Sequence, residues 1–220
     1  MGLIELAAAK ALASSAVFLF MTLLMMASAK RISTCVLLFS IQSAIMAAQI
    51  LSLAWARHSI EAYAVATLVI TVKVIAIPWL LFRIMKTVKA AQDVAASTTG
   101  AQSVFIMAGL ILLSFFAVAP YAITLRLDED LLAAAVALLL AGAFLMISRK
   151  KALMQVIGLL VLENGIFVAV LATTYSMPLV IEIGIFFDLL MGVFLMGLFV
   201  FRIRDTFEHL DVSKLRRLRG

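Results

Sequence analysis

The chain has 220 residues, of which 65% are hydrophobic and 14% charged, and its mean hydropathy is +1.19. These values exclude an ordinary soluble domain and predict an all-α polytopic membrane helix bundle. The net charge of +6 does not indicate nucleic-acid binding, because the basic residues flank apolar runs as topology signals do. Cys35 is a single cysteine within an apolar run, and His58 and His209 both lie outside the apolar runs, so no metal site, cofactor site or catalytic residue is expected on this chain.

The first apolar run, residues 11–29, predicts helix 1. It ends in Ala27-Ser28-Ala29, which has the small-residue character of a signal-peptide cleavage site. Glu5 and the length of the run instead favour a helix that stays in the membrane.

Two further helices complete the first half of the chain. Helix 2 is predicted from Ile32 to Trp55 and carries Gln42 and Gln49. Because these glutamines are seven residues apart and share a helix face, they are expected to form interhelical hydrogen bonds. Helix 3 is predicted from about Glu61 to Arg83.

The second half contains four more apolar runs and a polar end. They predict helices at 104–125, 131–148, 152–174 and 178–203. Residues 1–203 thus form one predicted domain of seven transmembrane helices. Residues 204–220 are polar with leucines at roughly helical spacing, which predicts an amphipathic cytoplasmic tail.

The lysine and arginine distribution predicts the orientation. The loops after helices 1, 3 and 5 and the C-terminal tail carry fourteen of these residues, and the opposite side carries three. Since basic residues accumulate in cytoplasmic loops, the N-terminus is predicted outside and the C-terminus in the cytoplasm.

Two carboxylates lie deep in the predicted membrane layer. At 1.5 Å per residue, Glu163 is about 18 Å beyond Lys151, and Asp188 is about 15 Å beyond Pro178. Both fall near the middle of a hydrocarbon layer about 30 Å thick, where a charge is costly and marks an ion, proton or substrate route. A proton-transfer role is therefore predicted for Glu163 and Asp188, the alternative being structural ion pairing.

Lys73 lies at the centre of helix 3 and is the natural cation for these acids. It is interpreted either as a proton relay or as half of a structural pair, and an ion pair with Asp188 is expected. Pro78 lacks the N–H that would bond the Val74 carbonyl in an α-helix, which suits a hydrated path beside the lysine. Glu182 is placed near the outer interface.

Residues 10–90 share the order of basic, polar and apolar segments seen in the last three predicted helices. In each half a basic cluster is followed eleven or twelve residues later by Gln42 or Glu163, and the two halves close on Leu80-Leu81-Phe82-Arg83-Ile84 and Phe199-Val200-Phe201-Arg202-Ile203. The pattern indicates a degenerate parallel repeat. The alternative is chance similarity between apolar helices that are flanked by arginine.

The stretch Val156-Ile157-Gly158-Leu159-Leu160-Val161-Leu162-Glu163-Asn164-Gly165, followed by Phe187-Asp188-Leu189-Leu190-Met191-Gly192, resembles the small K-type membrane subunit of complex I. The similarity covers about residues 150–203 and the tail. In length and layout the whole chain is similar to component E of hydrogenase-4 and formate-hydrogenlyase type complexes. Two positions depart from the K-type pattern: its middle-helix acid usually follows Gly-Leu directly, where Leu160 stands here, and its last-helix acid is usually Glu.

This resemblance implies a non-redox membrane subunit of a complex-I-related respiratory or hydrogenase complex in a bacterial or archaeal cytoplasmic membrane. Its midplane charges would contribute to proton translocation, with Gln42, Gln49, Asn164 and Glu182 as polar support. The chain would not be an enzyme by itself. Iron–sulfur and nickel–iron centres would lie on hydrogenase-like peripheral subunits, and antiporter-like membrane subunits would be its neighbours in the bilayer.

Two other functions fit the same sequence. One is the small subunit of a multisubunit cation/proton antiporter, since that subunit shares the K-type plan. The other is a stand-alone transporter or channel, which the odd helix count and short outer loops make less attractive.

The orientation is tested by introducing single cysteines at Ser97 and Ser176. A membrane-impermeant thiol reagent is expected to label position 97 from the cytoplasmic side and position 176 from the outside. The reverse labelling pattern would refute the N-outside, C-inside topology.

Overall fold

The computed structural model describes residues 3–87, 94, 99–125, 128–173, 192 and 197, and the described chain is all-helical. We number its helices α1 to α6. Their bounds are α1 Leu3–Ser28, α2 Ile32–Arg57, α3 in three consecutive segments (Ile60–Val69, Ile70–Ala76 and Ile77–Thr87), α4 Gly100–Leu125, α5 Glu129–Ser148 and α6 Ala152–Thr173.

The observed helices agree with the six apolar runs predicted before residue 175, with shifts at the ends. The largest shift is at α1, which begins at Leu3 rather than at residue 11, and α4 begins at Gly100 rather than at residue 104. The Thr99 hydroxyl accepts from the Gln102 N–H, and the Gln102 side chain accepts from the Thr99 N–H. This reciprocal capping box satisfies two backbone donors and starts the helix one turn earlier. The predicted seventh helix and tail lie outside the described residues.

Length and hydropathy make this a multi-pass membrane protein. Among the described residues, α2 to α6 are each long and apolar enough to cross a bilayer, and α1 contributes a shorter apolar stretch at Ser15–Ser28. Large apolar side chains cover the outside of the bundle, for example Phe105 and Phe116 of α4. Such a surface is stable against lipid, whereas in water it would be an aggregation-prone patch.

Helices α5 and α6 pack closely because glycines remove side chains from their contact. A Cβ atom added at Gly142 would lie 2.6 Å from both the Gly158 carbonyl oxygen and the Leu162 nitrogen. A Cβ added at Gly165 would lie 2.7 Å from the Leu139 nitrogen. In lipid, where apolar burial gives little net association, this close backbone approach maximises van der Waals contact.

The remaining helices surround this pair. Helix α2 packs against α1, α3 and α6, while α4 covers α1 and α5. Thus α2 lies next to both α3 and α6, the two helices that carry charges at their centres.

Replacing Gly142 by Ala is expected to destabilise the protein by about 1–3 kcal/mol, because the added methyl group meets two backbone atoms that cannot rotate away. The free energy of unfolding in detergent measures the effect. Gly109→Ala is the matched control, since Gly109 is also helical but has no atom within 4 Å of its added Cβ. Equal effects at the two positions would contradict the packing argument.

Candidate functional site

Lys73 and Glu163 form an ion pair inside the bundle. Lys73 Nζ lies 2.8 Å from Glu163 Oε1, and the two side chains are 1% and 3% exposed. Lys73 is 13 residues from each end of the span Ile60–Lys86. Glu163 is 11 residues after Ala152 and 10 before Thr173. Since both residues are central in lipid-length helices, the pair lies near the bilayer midplane.

Two further residues of α6, Asn164 and Phe167, also contact the lysine. Asn164 Oδ1 accepts a hydrogen bond from Lys73 Nζ at 3.3 Å, and the Phe167 ring centroid is 5.6 Å from the same nitrogen. The ammonium group therefore meets a carboxylate, an amide oxygen and the negative face of an aromatic ring. Within the described chain, the buried Asn164 Nδ2 has no hydrogen-bond acceptor.

The segment of α3 that carries Lys73 is a π-helix, Ile70–Ala76. Its register is seen at Ile77, whose N–H donates to the Val72 carbonyl five residues back. The following N–H in this register would be that of Pro78, which has none, and its acceptor would be the Lys73 carbonyl. The sequence-based expectation of an α register, with the Val74 carbonyl affected, is thus corrected by one residue. The disruption lies at the charged residue itself.

The close contact with α5 fixes the position of the Glu163 side chain. Gly158 and Gly165 face α5. Glu163 is five residues after the first and two before the second, so at 100° per residue it lies on the opposite side of α6. The glycine contact consequently turns the carboxylate away from α5 and towards α2 and α3, which carries the lysine.

Gln42 and Gln49 form the interhelical hydrogen bonds that their spacing predicts. Gln42 Nε2 donates to the Thr22 hydroxyl at 2.9 Å, and Gln49 Nε2 donates to the Ser15 hydroxyl. Both acceptors are on α1, also seven residues apart, as expected for an antiparallel pair. These glutamines join α1 to α2 and are a separate polar contact from the Lys73–Glu163 pair.

The structure therefore brings together three of the predicted residues, Lys73, Glu163 and Asn164. Asp188 and Glu182 lie outside the described residues, and the predicted Lys73–Asp188 pairing stays a prediction. Phe167 was not predicted as part of the site, although its position four residues after Glu163 places it on the same helix face.

Fold and site together define a multi-pass helical membrane protein with a buried charge pair between two central helices. No family model and no solved structure matches the chain. It is similar to "Uncharacterized protein Rv0085" of Mycobacterium tuberculosis, with 34% identity over 158 residues that cover 71% of this chain and 72% of the relative. The chain belongs to the same protein family as that mycobacterial protein.

Replacing Lys73 or Glu163 singly by Met is expected to lower the free energy of unfolding by about 3–5 kcal/mol, because each change leaves an uncompensated buried group. The double replacement is expected to cost much less than the sum of the two. A double-mutant cycle in detergent measures this coupling.

The matched control is the pair Glu61→Met and Lys86→Met, exposed charges near the two ends of the same helix. These changes are expected to have effects within about 0.5 kcal/mol and to be additive. Additivity at Lys73 and Glu163 as well would show that the two charges do not stabilise each other.

Proposed function

We propose that this chain is a non-redox membrane subunit of a complex-I-related assembly of the hydrogenase-4 type, and that Glu163 and Lys73 carry one step of its proton route. The observation that supports the proposal best is the ion pair itself, 2.8 Å across and nearly inaccessible to solvent at the centre of two spans. Ionisable groups at this depth are expensive, and where they occur they commonly serve ion or proton movement.

The geometry suits direct proton transfer between the two side chains. A separation of 2.8 Å is within the hydrogen-bond range in which a proton passes without an intervening water. In one arrangement the proton is on Lys73 and both groups are charged. In the other the proton is on Glu163 and both groups are neutral. Desolvation favours the neutral arrangement and mutual attraction favours the charged one, so an approaching charge shifts the balance between them.

Asn164 and Phe167 both favour the charged arrangement over the neutral one. Both stabilise the charged ammonium, through a hydrogen bond and a cation–π contact respectively. They therefore favour the state in which the proton is on Lys73. Transfer to Glu163 then requires an added influence, which in the proposed assembly is the charge state of a neighbouring subunit.

The π segment supports a conducting role for α3. A π-helix followed by proline weakens the backbone hydrogen bonding next to Lys73 and leaves polar groups that water can satisfy. Hydration at this point would extend the proton route along α3 in the proposed mechanism.

The proposal includes seven spans in a bacterial or archaeal cytoplasmic membrane, with the N-terminus outside and the C-terminus in the cytoplasm. Asp188, on the proposed seventh helix, would be the second midplane acid, and Glu182 would lie nearer the outer surface. In this arrangement redox centres belong to partner subunits. Proteins that copurify with the tagged chain distinguish a hydrogenase-like assembly from a multisubunit cation/proton antiporter.

Glu163→Gln is expected to abolish most proton movement while electron transfer at partner sites persists, because glutamine keeps the size of the side chain but cannot release a proton. Glu163→Asp is expected to be milder, since it retains a titratable group. The measurement is the ratio of proton movement to redox turnover for the assembled complex in vesicles.

Glu61→Gln serves as the control, as it removes an exposed carboxylate at the start of α3. It should leave the ratio unchanged. Full coupling in the Glu163→Gln complex would contradict a proton-carrying role.

A further inference from the structure

Arg149 is buried although its sequence position is that of a loop charge. It follows the last residue of α5, and its extended backbone, with φ −111° and ψ 130°, turns the chain towards α6. The side chain is only 3% exposed and lies beneath the end of α1, where its Nη2 donates to the Ala27 carbonyl oxygen at 3.1 Å. The guanidinium thus caps the negative end of the α1 dipole.

One backbone carbonyl does not balance this charge. No carboxylate among the described residues lies within ion-pair distance of Arg149. Its Nε has no hydrogen-bond partner there, and neither has the hydroxyl of the adjacent Ser148, which is 6% exposed. Burial lowers the pKa of the Arg149 guanidinium, but arginine still remains protonated at neutral pH. A buried cation without a counterion costs several kcal/mol.

The surroundings of Arg149 add further positive charge. Arg149 reaches the end of α1, and the loop that follows α1 carries the exposed Lys30 and Arg31, while Lys150 is exposed in the loop of Arg149 itself. The Arg149–Ala27 hydrogen bond holds the start of the α5–α6 loop against the last turn of α1, a few residues before Lys30 and Arg31. The first N–H groups of α6 follow immediately at Ala152, and a helix N-terminus also favours an anion.

We propose that Arg149, Ser148 and the exposed basic residues beside them form a binding site for a phosphate group, supplied by the headgroup of an anionic phospholipid. The unpartnered Nε–H and the serine hydroxyl are donors that a phosphate oxygen accepts, and the planar guanidinium matches phosphate geometry. Ile147, one residue before the pair and 84% exposed, offers apolar surface for an acyl chain at the same end of α5. This choice of ligand rests on the proposed orientation, in which this end of α5 faces the cytoplasmic leaflet, where anionic lipid is abundant and basic sites between membrane helices bind such headgroups.

The test measures thermal unfolding of the full-length chain in detergent during titration with three probes: phosphatidylglycerol, phosphatidylcholine and inorganic phosphate. Phosphatidylglycerol is expected to raise the unfolding midpoint by about 5 °C more than phosphatidylcholine does, since ligand binding to the folded state stabilises it. Arg149→Gln should remove this difference. Lys86→Gln, which removes an exposed charge near the end of α3, should retain it.

The double variant Lys30→Gln and Lys150→Gln covers the case in which Arg149→Gln does not fold. Both side chains are exposed, so the variant should fold normally and show at least a threefold weaker response to phosphatidylglycerol. An equal shift with inorganic phosphate at millimolar concentration would assign the site to free phosphate rather than to lipid and overturn the lipid headgroup as its ligand. No anion-dependent shift, or an undiminished shift in the variants, would show that Arg149 is a helix cap only.

Discussion

A bilayer does not solvate charge, and this constraint explains most of the arrangement seen here. Lys73 and Glu163 lie at the centres of their spans, where each alone would be strongly unfavourable, so each has to lie against the other. Their contact requires that α3 and α6 present these side chains towards one interior region beside α2. The orientation of α6 in turn depends on the absence of side chains at Gly142, Gly158 and Gly165, since larger residues there would separate α5 from α6.

The same constraint separates two kinds of polar contact in the bundle. The glutamine contacts between α1 and α2 involve neutral groups, and their formation requires no exchange of protons. The Lys73–Glu163 contact involves two titratable groups, an amide and an aromatic ring, and its lysine lies on the π segment of α3. The first kind holds helices together. The second pairs two opposite charges, each of which would be costly alone at this depth.

Sequence reasoning located the helices and the midplane charges because both follow from local rules. An apolar run of lipid length determines a span, and counting residues from its ends determines the depth of Lys73 or Glu163. The partner of Lys73 does not follow from local rules, because it depends on which helices become neighbours. The π register of α3 was missed for a related reason, since the sequence around Pro78 is compatible with an α-helix kink as well. The burial of Arg149 was also missed, because a charge beside a helix end has the same sequence pattern whether it faces water or the end of another helix.

The hydrogen bonds between α1 and α2 limit how these helices move. Gln42 with Thr22 and Gln49 with Ser15 are two bonds separated by seven residues on both helices, or about two turns. A slide by a single turn would break both bonds at once and would not bring either glutamine to the other hydroxyl. The two bonds together therefore favour a single register of α1 against α2. Lys73, by contrast, lies on a helix whose regular α-helical register is already interrupted.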